Sequence, residues 1–167
     1  MTDSLSKKLN FSVNNYPIVL GTALNASELH SHGIDKVGFF ARLILRPEKG
    51  EVLYLSKNSI LTYLSGDDCT IKPVIDQKDK KKTMFGTIAY LWYKNDRLSK
   101  LGFQVIQNAS FKADTLFEEL EKRITATIAP PANSSKTQKV WNIKDQKLIL
   151  TLPMNIQYGF IHLMFKE

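Results

Sequence analysis

The chain has 167 residues, of which 43% are hydrophobic, and its aromatic residues comprise nine Phe, six Tyr and two Trp. These values exclude a mainly disordered chain and predict one domain, because a single hydrophobic core serves chains of this size. Lys and Arg outnumber Asp and Glu by 23 to 16, which gives a formal net charge of +7. Such a balance favours acidic partners, although scattered lysines also serve solubility alone.

The first part of the chain is typical of a hairpin followed by a short helix. We predict a flexible N-terminus over residues 1–10 and a single α+β domain over residues 11–167. In "NFSVNNYPIVLGT" two strand-like stretches flank Asn14 and Asn15, and asparagine tolerates the positive φ that tight turns require. The stretch "NASELHSHG" predicts a short helix over about residues 25–32, which Asn25 or Ser27 caps and Gly33 ends.

The middle of the chain predicts further strands. In "GFFARLILRPEKGEVLYLSKNSILTYLSGDD" a turn between Pro47 and Gly50 separates two extended stretches. The stretch "CTIKPVI" predicts one strand, and Pro73 favours a place at a sheet edge. A long hairpin is expected in "MFGTIAYLWYKNDRLSKLGFQVIQN", turning at residues 94–97, because Asn95 and Asp96 supply turn chemistry.

The last part of the chain contains the clearest helix. In "ADTLFEELEKRITATIAPP" the apolar residues recur at helical spacing, which predicts a long helix over about residues 113–129. Pro130 and Pro131 end it. A hairpin turning at residues 144–146 and a final strand in "YGFIHLMFKE" follow. Successive hairpins without βαβ alternation predict the α+β class: a mostly antiparallel sheet with the long and the short helix packed on it.

Charged residues cluster in two of the predicted connections between strands. Four lysines lie within residues 78–82, and the tip of the long hairpin carries further charges. A solvated surface loop is the default for such segments, but lysines there also suit long-range steering of an acidic partner. The candidate partner-binding residues are therefore Lys78, Lys80, Lys81, Lys82, Lys94, Asn95, Asp96 and Arg97.

A nucleic-acid-binding module is the first alternative. It would use the basic loop at residues 78–82 and the aromatic and basic hairpin at residues 90–100. By strand alternation Tyr90 and Trp92 share one face, whereas Leu91 and Tyr93 share the other. Since one face must pack in the core, at least half of these aromatic residues are expected to be structural.

A metal-dependent enzyme is the second alternative, and it depends on His30 and His32. Two histidines spaced two apart share a face on a strand, but on a helix they point about 200° apart. Further ligands would have to come from His162, Cys69 or the Asp67 and Asp68 pair. The chain contains neither a phosphate-binding loop motif nor a nucleophile-elbow motif. We therefore predict no catalytic residues, no metal site, no cofactor and no enzymatic activity.

Cysteine content and hydropathy bear on the compartment. Cys69 is the only cysteine, so no intramolecular disulfide can form, which fits a reducing environment. The N-terminal stretch contains no unbroken apolar run typical of a signal peptide, and no segment reaches the ~18 apolar residues of a membrane span. We expect a cytoplasmic protein, monomeric or dimeric.

Both ends of the chain show a family resemblance. The opening "FSVNNYPIVLGTAL" resembles the first hairpin of small cytosolic bacterial immunity proteins, which neutralise toxins. The stretch "LFEELEKR" followed by "VWNIKDQKLIL" and an apolar last strand is similar to their general layout. The resemblance implies a single-domain, non-enzymatic inhibitor that covers a partner's active site. A basic inhibitor implies a partner with an acidic binding face.

Overall fold

The computed structural model of the chain describes residues 9–38, 50–64, 69–75, 83–107, 113–152 and 160–166. These ranges contain two helices, α1 (Ala26–Ser31) and α2 (Ala113–Thr127). They also contain thirteen strands, which are β1 (Leu9–Val13), β2 (Tyr16–Ile18), β3 (Asp35–Lys36), β4 (Glu51–Lys57), β5 (Leu61–Leu64), β6 (Thr70–Ile71), β7 (Val74–Ile75), β8 (Thr83–Lys94), β9 (Arg97–Gln107), β10 (Asn133–Ser134), β11 (Gln138–Ile143), β12 (Gln146–Thr151) and β13 (Ile161–Phe165).

The strands form a small and a large antiparallel sheet. The small sheet has the order β2-β1-β5-β6. The large sheet has the order β10-β11-β12-β13-β9-β8-β4-β3, and β7 pairs with β8 beside β4. Every strand pairing in the described ranges is antiparallel. The predicted α+β class, with a mostly antiparallel sheet and one long helix, is confirmed.

Tight turns join the predicted hairpins. Asn14 and Asn15 have φ values of 51° and 67°, and Asn95 and Asp96 have φ values of 53° and 60°. Positive φ at both central residues gives a turn whose twist matches that of the flanking strands. Lys144, with φ 54°, begins the turn between β11 and β12. All three reversals therefore lie where local turn chemistry predicts them.

The stretch predicted as one strand around Pro73 is divided between the two sheets. The strand β6 pairs with β5 in the small sheet, whereas β7 pairs with β8 in the large sheet. Pro73 lies between them. Proline has no backbone N–H to donate, and it restricts the backbone conformation of the residue before it. The single predicted strand was wrong at this point because proline favours a change of direction there.

The helices have nearly the predicted bounds. The helix α1 is capped by Asn25, whose side chain accepts a hydrogen bond from the Glu28 amide at 3.2 Å. Gly33 follows its end with φ 73°. The helix α2 buries Phe117, Leu120 and Ile124, the apolar face that the spacing predicts. In the described residues, no helix has the length and apolar character needed to cross a membrane.

The main core lies between the two sheets and under α2. Trp141 on β11 is only 1% exposed, and its indole N–H donates to the carbonyl oxygen of Ala129 at 2.9 Å. This bond ties the end of the α2 segment to the large sheet. A smaller cluster of Val37, Leu53 and Tyr90 is buried on the opposite face of the large sheet. The large sheet is therefore apolar on both faces near its β8 and β4 strands.

Candidate protein-binding surface at one end of the large sheet

Three chain segments and a terminal strand end meet at one end of the large sheet. Gln146, at the start of β12, pairs with Phe165 at the end of β13, and Met164 pairs with Lys100 near the start of β9. The turn between β8 and β9 and the turn between β11 and β12 therefore lie at the same end of the sheet, with the end of β13 between them. We call this surface the basic end and define it as residues 19–24, 94–97, 144–146 and 165–166.

The tip of the β8–β9 hairpin is exposed and tightly held. Arg97 donates from Nη1 to the carbonyl oxygen of Gly21 at 3.0 Å. The amide of Leu24 donates to the carbonyl oxygen of Asp96 at 2.8 Å, and Ala23 forms a β-bridge with Arg97. A tip fixed in this way loses little conformational entropy when it binds a partner. All four predicted tip residues, Lys94, Asn95, Asp96 and Arg97, have exposed side chains.

Two exposed apolar side chains adjoin this tip. Val19 is 59% exposed and Phe165 is 36% exposed. The Phe165 ring lies against Gly21, since a methyl group added at Gly21 would be 3.8 Å from its Cζ atom. The amide of Lys166 donates to the carbonyl oxygen of Asp145 at 2.8 Å and so links this strand end to the next turn. The basic end is thus one continuous surface.

Positive charge predominates on this surface. The exposed cations are Lys94, Arg97, Lys144 and Lys166, against the two exposed anions Asp96 and Asp145. Further inside, Lys100 Nζ lies 3.5 Å from a carboxylate oxygen of buried Glu51. The electrostatic field of these exposed cations extends into the solvent over about one Debye length, roughly 8–10 Å at physiological salt.

The four lysines predicted in the loop at residues 78–82 lie outside the described residues. Lys78, Lys80, Lys81 and Lys82 therefore remain sequence-based predictions. Of the predicted partner-binding residues, the structure describes only those at the hairpin tip, residues 94–97.

The aromatic residues of the same hairpin pack inside the molecule. Tyr93 lies in the main core, and Tyr90 is 6% exposed on the opposite face of the sheet. There Tyr90 donates to Gln104 Oε1 at 3.2 Å, and burial raises the pKa of its phenol. Half-buried Trp92 lies on the same face with its ring centre 5.8 Å from that of Tyr90. Alternation predicted the two faces correctly, and Tyr90 is not available for base stacking.

The two histidines of the possible metal motif have separate partners. His30 is exposed, and its Nδ1 lies 2.5 Å from an Asp35 carboxylate oxygen. This hydrogen bond, together with the negative charge of Asp35, raises the pKa of His30. The Nδ1 of His32 lies 2.8 Å from the carbonyl oxygen of Asn14. His162 is buried on the large sheet. No group of three or more His, Cys, Asp or Glu side chains in the described ranges could hold a metal ion.

Cys69 lies half-buried where α2 meets the small sheet. Arg123 on α2 approaches it, with Nη1 3.7 Å from the Cys69 Sγ and 3.4 Å from the Tyr63 hydroxyl. Its other terminal nitrogen lies 2.7 Å from Glu119. Burial raises the pKa of Tyr63 to about 12, so this phenol stays neutral at physiological pH. These contacts fasten the helix to the sheet, which is a structural role.

Comparison with known proteins gives no match to a family model, a curated protein or a solved structure. The basic end is therefore described from its geometry alone. Sequence reasoning identified its hairpin tip but missed Val19, Lys144 and Phe165. The turn at Lys144 was predictable, but its proximity to the tip depends on the strand order β12-β13-β9, which carries no local signal.

Proposed function

We propose that this chain is a non-enzymatic protein-binding domain that engages an acidic surface of another protein through its basic end. The observation that carries the proposal is the joint exposure of four cations and two apolar side chains on turns that are held by backbone hydrogen bonds. Protein interfaces combine a small apolar centre with a polar rim, and the basic end offers both.

The charged and apolar residues would contribute differently to binding. Exposed ion pairs stabilise a complex by only about 0–1 kcal/mol each, so Lys94 and Lys144 act mainly by accelerating and orienting the encounter. Burial of Val19 and Phe165 would slow dissociation, because apolar contacts are insensitive to ionic screening. The proposed complex would therefore form faster at low salt and persist at moderate salt.

The resemblance to bacterial immunity proteins suggests the kind of partner. On this proposal the partner is a toxin domain whose acidic face surrounds its active site, and the basic end covers that site. One equivalent of the chain would then abolish the toxin's activity, and excess substrate would not restore it if the complex dissociates slowly.

A pull-down from native lysate tests the proposal. The chain is immobilised, and the lysate is applied with and without nuclease at low salt and at ~0.3 M salt, where the Debye length falls below about 8 Å. We expect to recover the same protein from the nuclease-treated and the untreated lysate at both salt concentrations. The paired variant Lys94→Glu with Lys144→Glu should lose it.

A matched variant controls for net charge. Lys122 on α2 and Lys136 before β11 are exposed and lie outside the basic end. Lys122→Glu with Lys136→Glu changes the net charge equally and should retain the partner. If both paired variants lose the partner equally, the proposal is contradicted. Recovery of RNA or DNA that nuclease removes would also contradict it and would favour the nucleic-acid alternative.

A further inference from the structure

A groove opens between the two sheets at the basic end. Its floor consists of apolar side chains from both sheets, among them Phe11, Ile18, Ile143 and Leu163. Each of these side chains is at most 6% exposed, so the groove is an opening into the edge of the main core. Its volume of about 260 Å³ is below the roughly 300–1,000 Å³ of sites for drug-sized ligands. The space suits one large side chain better than a cofactor.

The mouth of the groove lies within the basic end. Exposed Val19 stands on the small-sheet side, and Lys144, Asp145 and Gln146 stand on the large-sheet side. Lys166 adjoins this turn through its backbone hydrogen bond to Asp145. Among the described residues of the mouth, two lysines against one aspartate give a net positive charge, which is complementary to carboxylates beside an inserted side chain.

Strand addition is disfavoured beside this groove. The strand β2 is an edge strand of the small sheet, and the tight turn at Asn14 and Asn15 makes Val13 and Tyr16 the hydrogen-bonded pair that closes the hairpin. Pro17 is then the β2 residue whose nitrogen points outward, and proline has no N–H to donate. This edge therefore offers a partner strand no backbone donor at Pro17, which disfavours extension of the sheet through β2 and favours side-chain insertion.

Thr22 blocks the next acceptor along the same edge. Its amide and its hydroxyl both donate to the carbonyl oxygen of Val19, at 3.2 and 2.6 Å. That carbonyl is thus already paired within the chain. The edge and the groove together favour an apolar anchor over backbone pairing.

We infer that the groove is an anchor site for one large apolar side chain of a partner protein, presented in a short acidic segment. The inference rests on the proposed protein-binding function and names the partner feature that the basic end recognises. Centrally placed pockets that take one large side chain carry much of the energy of protein interfaces. The lysines at the mouth would pair with the carboxylates that flank the anchor.

Synthetic peptides test the inference directly. The probes are the acetylated, amidated pentapeptide Asp-Glu-Phe-Glu-Asp, its analogue with Ala in place of Phe, and Lys-Arg-Phe-Arg-Lys. Each is titrated into the ¹⁵N-labelled chain while amide shifts are recorded. We expect saturable shifts at Val19, Leu20 and Ile143 with the first peptide, binding about tenfold weaker for the Ala analogue, and no saturation with the basic peptide.

Paired variants localise the binding. Val19→Ser and Lys144→Gln should each weaken the Phe peptide several-fold. Ile60→Ser and Lys122→Gln are the controls, because Ile60 is another exposed apolar residue, at 42%, and Lys122 is another exposed lysine. Both controls should bind as the unchanged chain does. Ile60 adjoins the Asn14 turn, at the opposite end of the small sheet from Val19.

Three results would overturn the inference: equal affinity for the Phe and Ala peptides, shifts confined to residues away from the groove, or shifts of the same amides on concentrating the chain without peptide. The last would identify a second copy as the occupant. If the captured partner is lost with the charge-reversed lysines but unaffected by Val19→Ser, the protein-binding function stands and the anchor site fails. If the Phe peptide binds at the groove but the pull-down captures no partner, the anchor site stands and the proposed protein-binding function fails.

Discussion

Asn14 joins three parts of the chain through one side chain. Its Nδ2 donates to the carbonyl oxygen of His32 at 2.9 Å and lies 3.0 Å from the Ser56 hydroxyl. Its Oδ1 accepts a hydrogen bond from the Ile60 amide at 2.9 Å. The same residue adopts positive φ in the first hairpin turn. It therefore fixes the small sheet to the large one as well as reversing the chain.

Asn14→Ala should destabilise the fold more than Asn15→Ala does. Both residues have positive φ, so the backbone cost of alanine is similar, but only Asn14 makes these three side-chain hydrogen bonds. Leaving the partners unpaired costs about 1–3 kcal/mol in the free energy of unfolding. Urea denaturation of the two variants measures the difference. Equal destabilisation would show that the turn geometry matters and the side-chain bonds do not.

His162 is a buried titratable group on the large sheet. It is 6% exposed, and its ring centre lies 6.1 Å from that of Trp92. Burial, with the charges of Lys100 and Lys147 nearby, lowers the pKa of His162 from 6.5 to about 4. The folded chain therefore holds this imidazole neutral at pH values where the unfolded chain protonates it.

Stability should fall as the pH drops from about 6.5 through 4. Because the folded pKa of His162 is depressed, its contribution is present above 6.5 and is lost at lower pH, by about 3 kcal/mol at most. His162→Gln should flatten this part of the profile relative to the unchanged chain. His30→Gln, which alters an exposed imidazole, should leave the acid slope in place. Equal slopes in the unchanged chain and His162→Gln would refute the assignment.

At the scale of elements, the described edge strands β2, β3 and β10 carry features that hinder pairing with other chains. The edge strand β3 consists of exposed Asp35 and Lys36, and the edge strand β10 has only two residues. In β2 the outward nitrogen belongs to Pro17. Charge, short length and proline are the usual means by which soluble sheets avoid aggregation.

Pro17→Thr should increase self-association. The substitution supplies an outward N–H on an exposed edge strand, so two copies could pair through β2. Sedimentation velocity across a range of chain concentrations measures the effect, and Thr62→Val in the interior strand β5 is a suitable control because β5 has neighbours on both sides. A Pro17→Thr chain whose sedimentation does not change with concentration would show that Thr22 alone suffices to close the edge.

The elements that could be predicted from sequence are those with local chemical causes. The turns at Asn14, Asn95 and Lys144 follow from residues that accept positive φ or end an alternating run. The helix α2 follows from the spacing of Phe117, Leu120 and Ile124.

The division into two sheets could not be predicted in the same way. The chain passes from β4 in the large sheet to β5 in the small one through Asn58, which has φ 52°. Its amide donates to the carbonyl oxygen of Thr87 at 2.6 Å, a contact across 29 positions of sequence. Alternation assigns residues to a face of a strand but not to one of two sheets. For the same reason, only the hairpin tip of the basic end could be predicted from the sequence.

For the whole molecule, the central claim is that a rigid scaffold of two sheets presents one binding end. The helix α2 is fastened to the small sheet by Arg123, and Trp141 ties the segment after the helix to the large sheet. The charges of the basic end add to an overall charge of +7. On the proposed function, this charge would attract an acidic partner from a distance before the local surface orients it.

Hydrogen exchange of the captured complex tests this claim most directly. Amide exchange is followed by mass spectrometry for the chain alone and with its partner bound. We predict slower exchange in peptides covering residues 19–24, 94–97, 144–146 and 165–166, with peptides of α2 unchanged. Protection confined to α2 or to the edge strand β10, with the basic end exchanging as in the free chain, would contradict it.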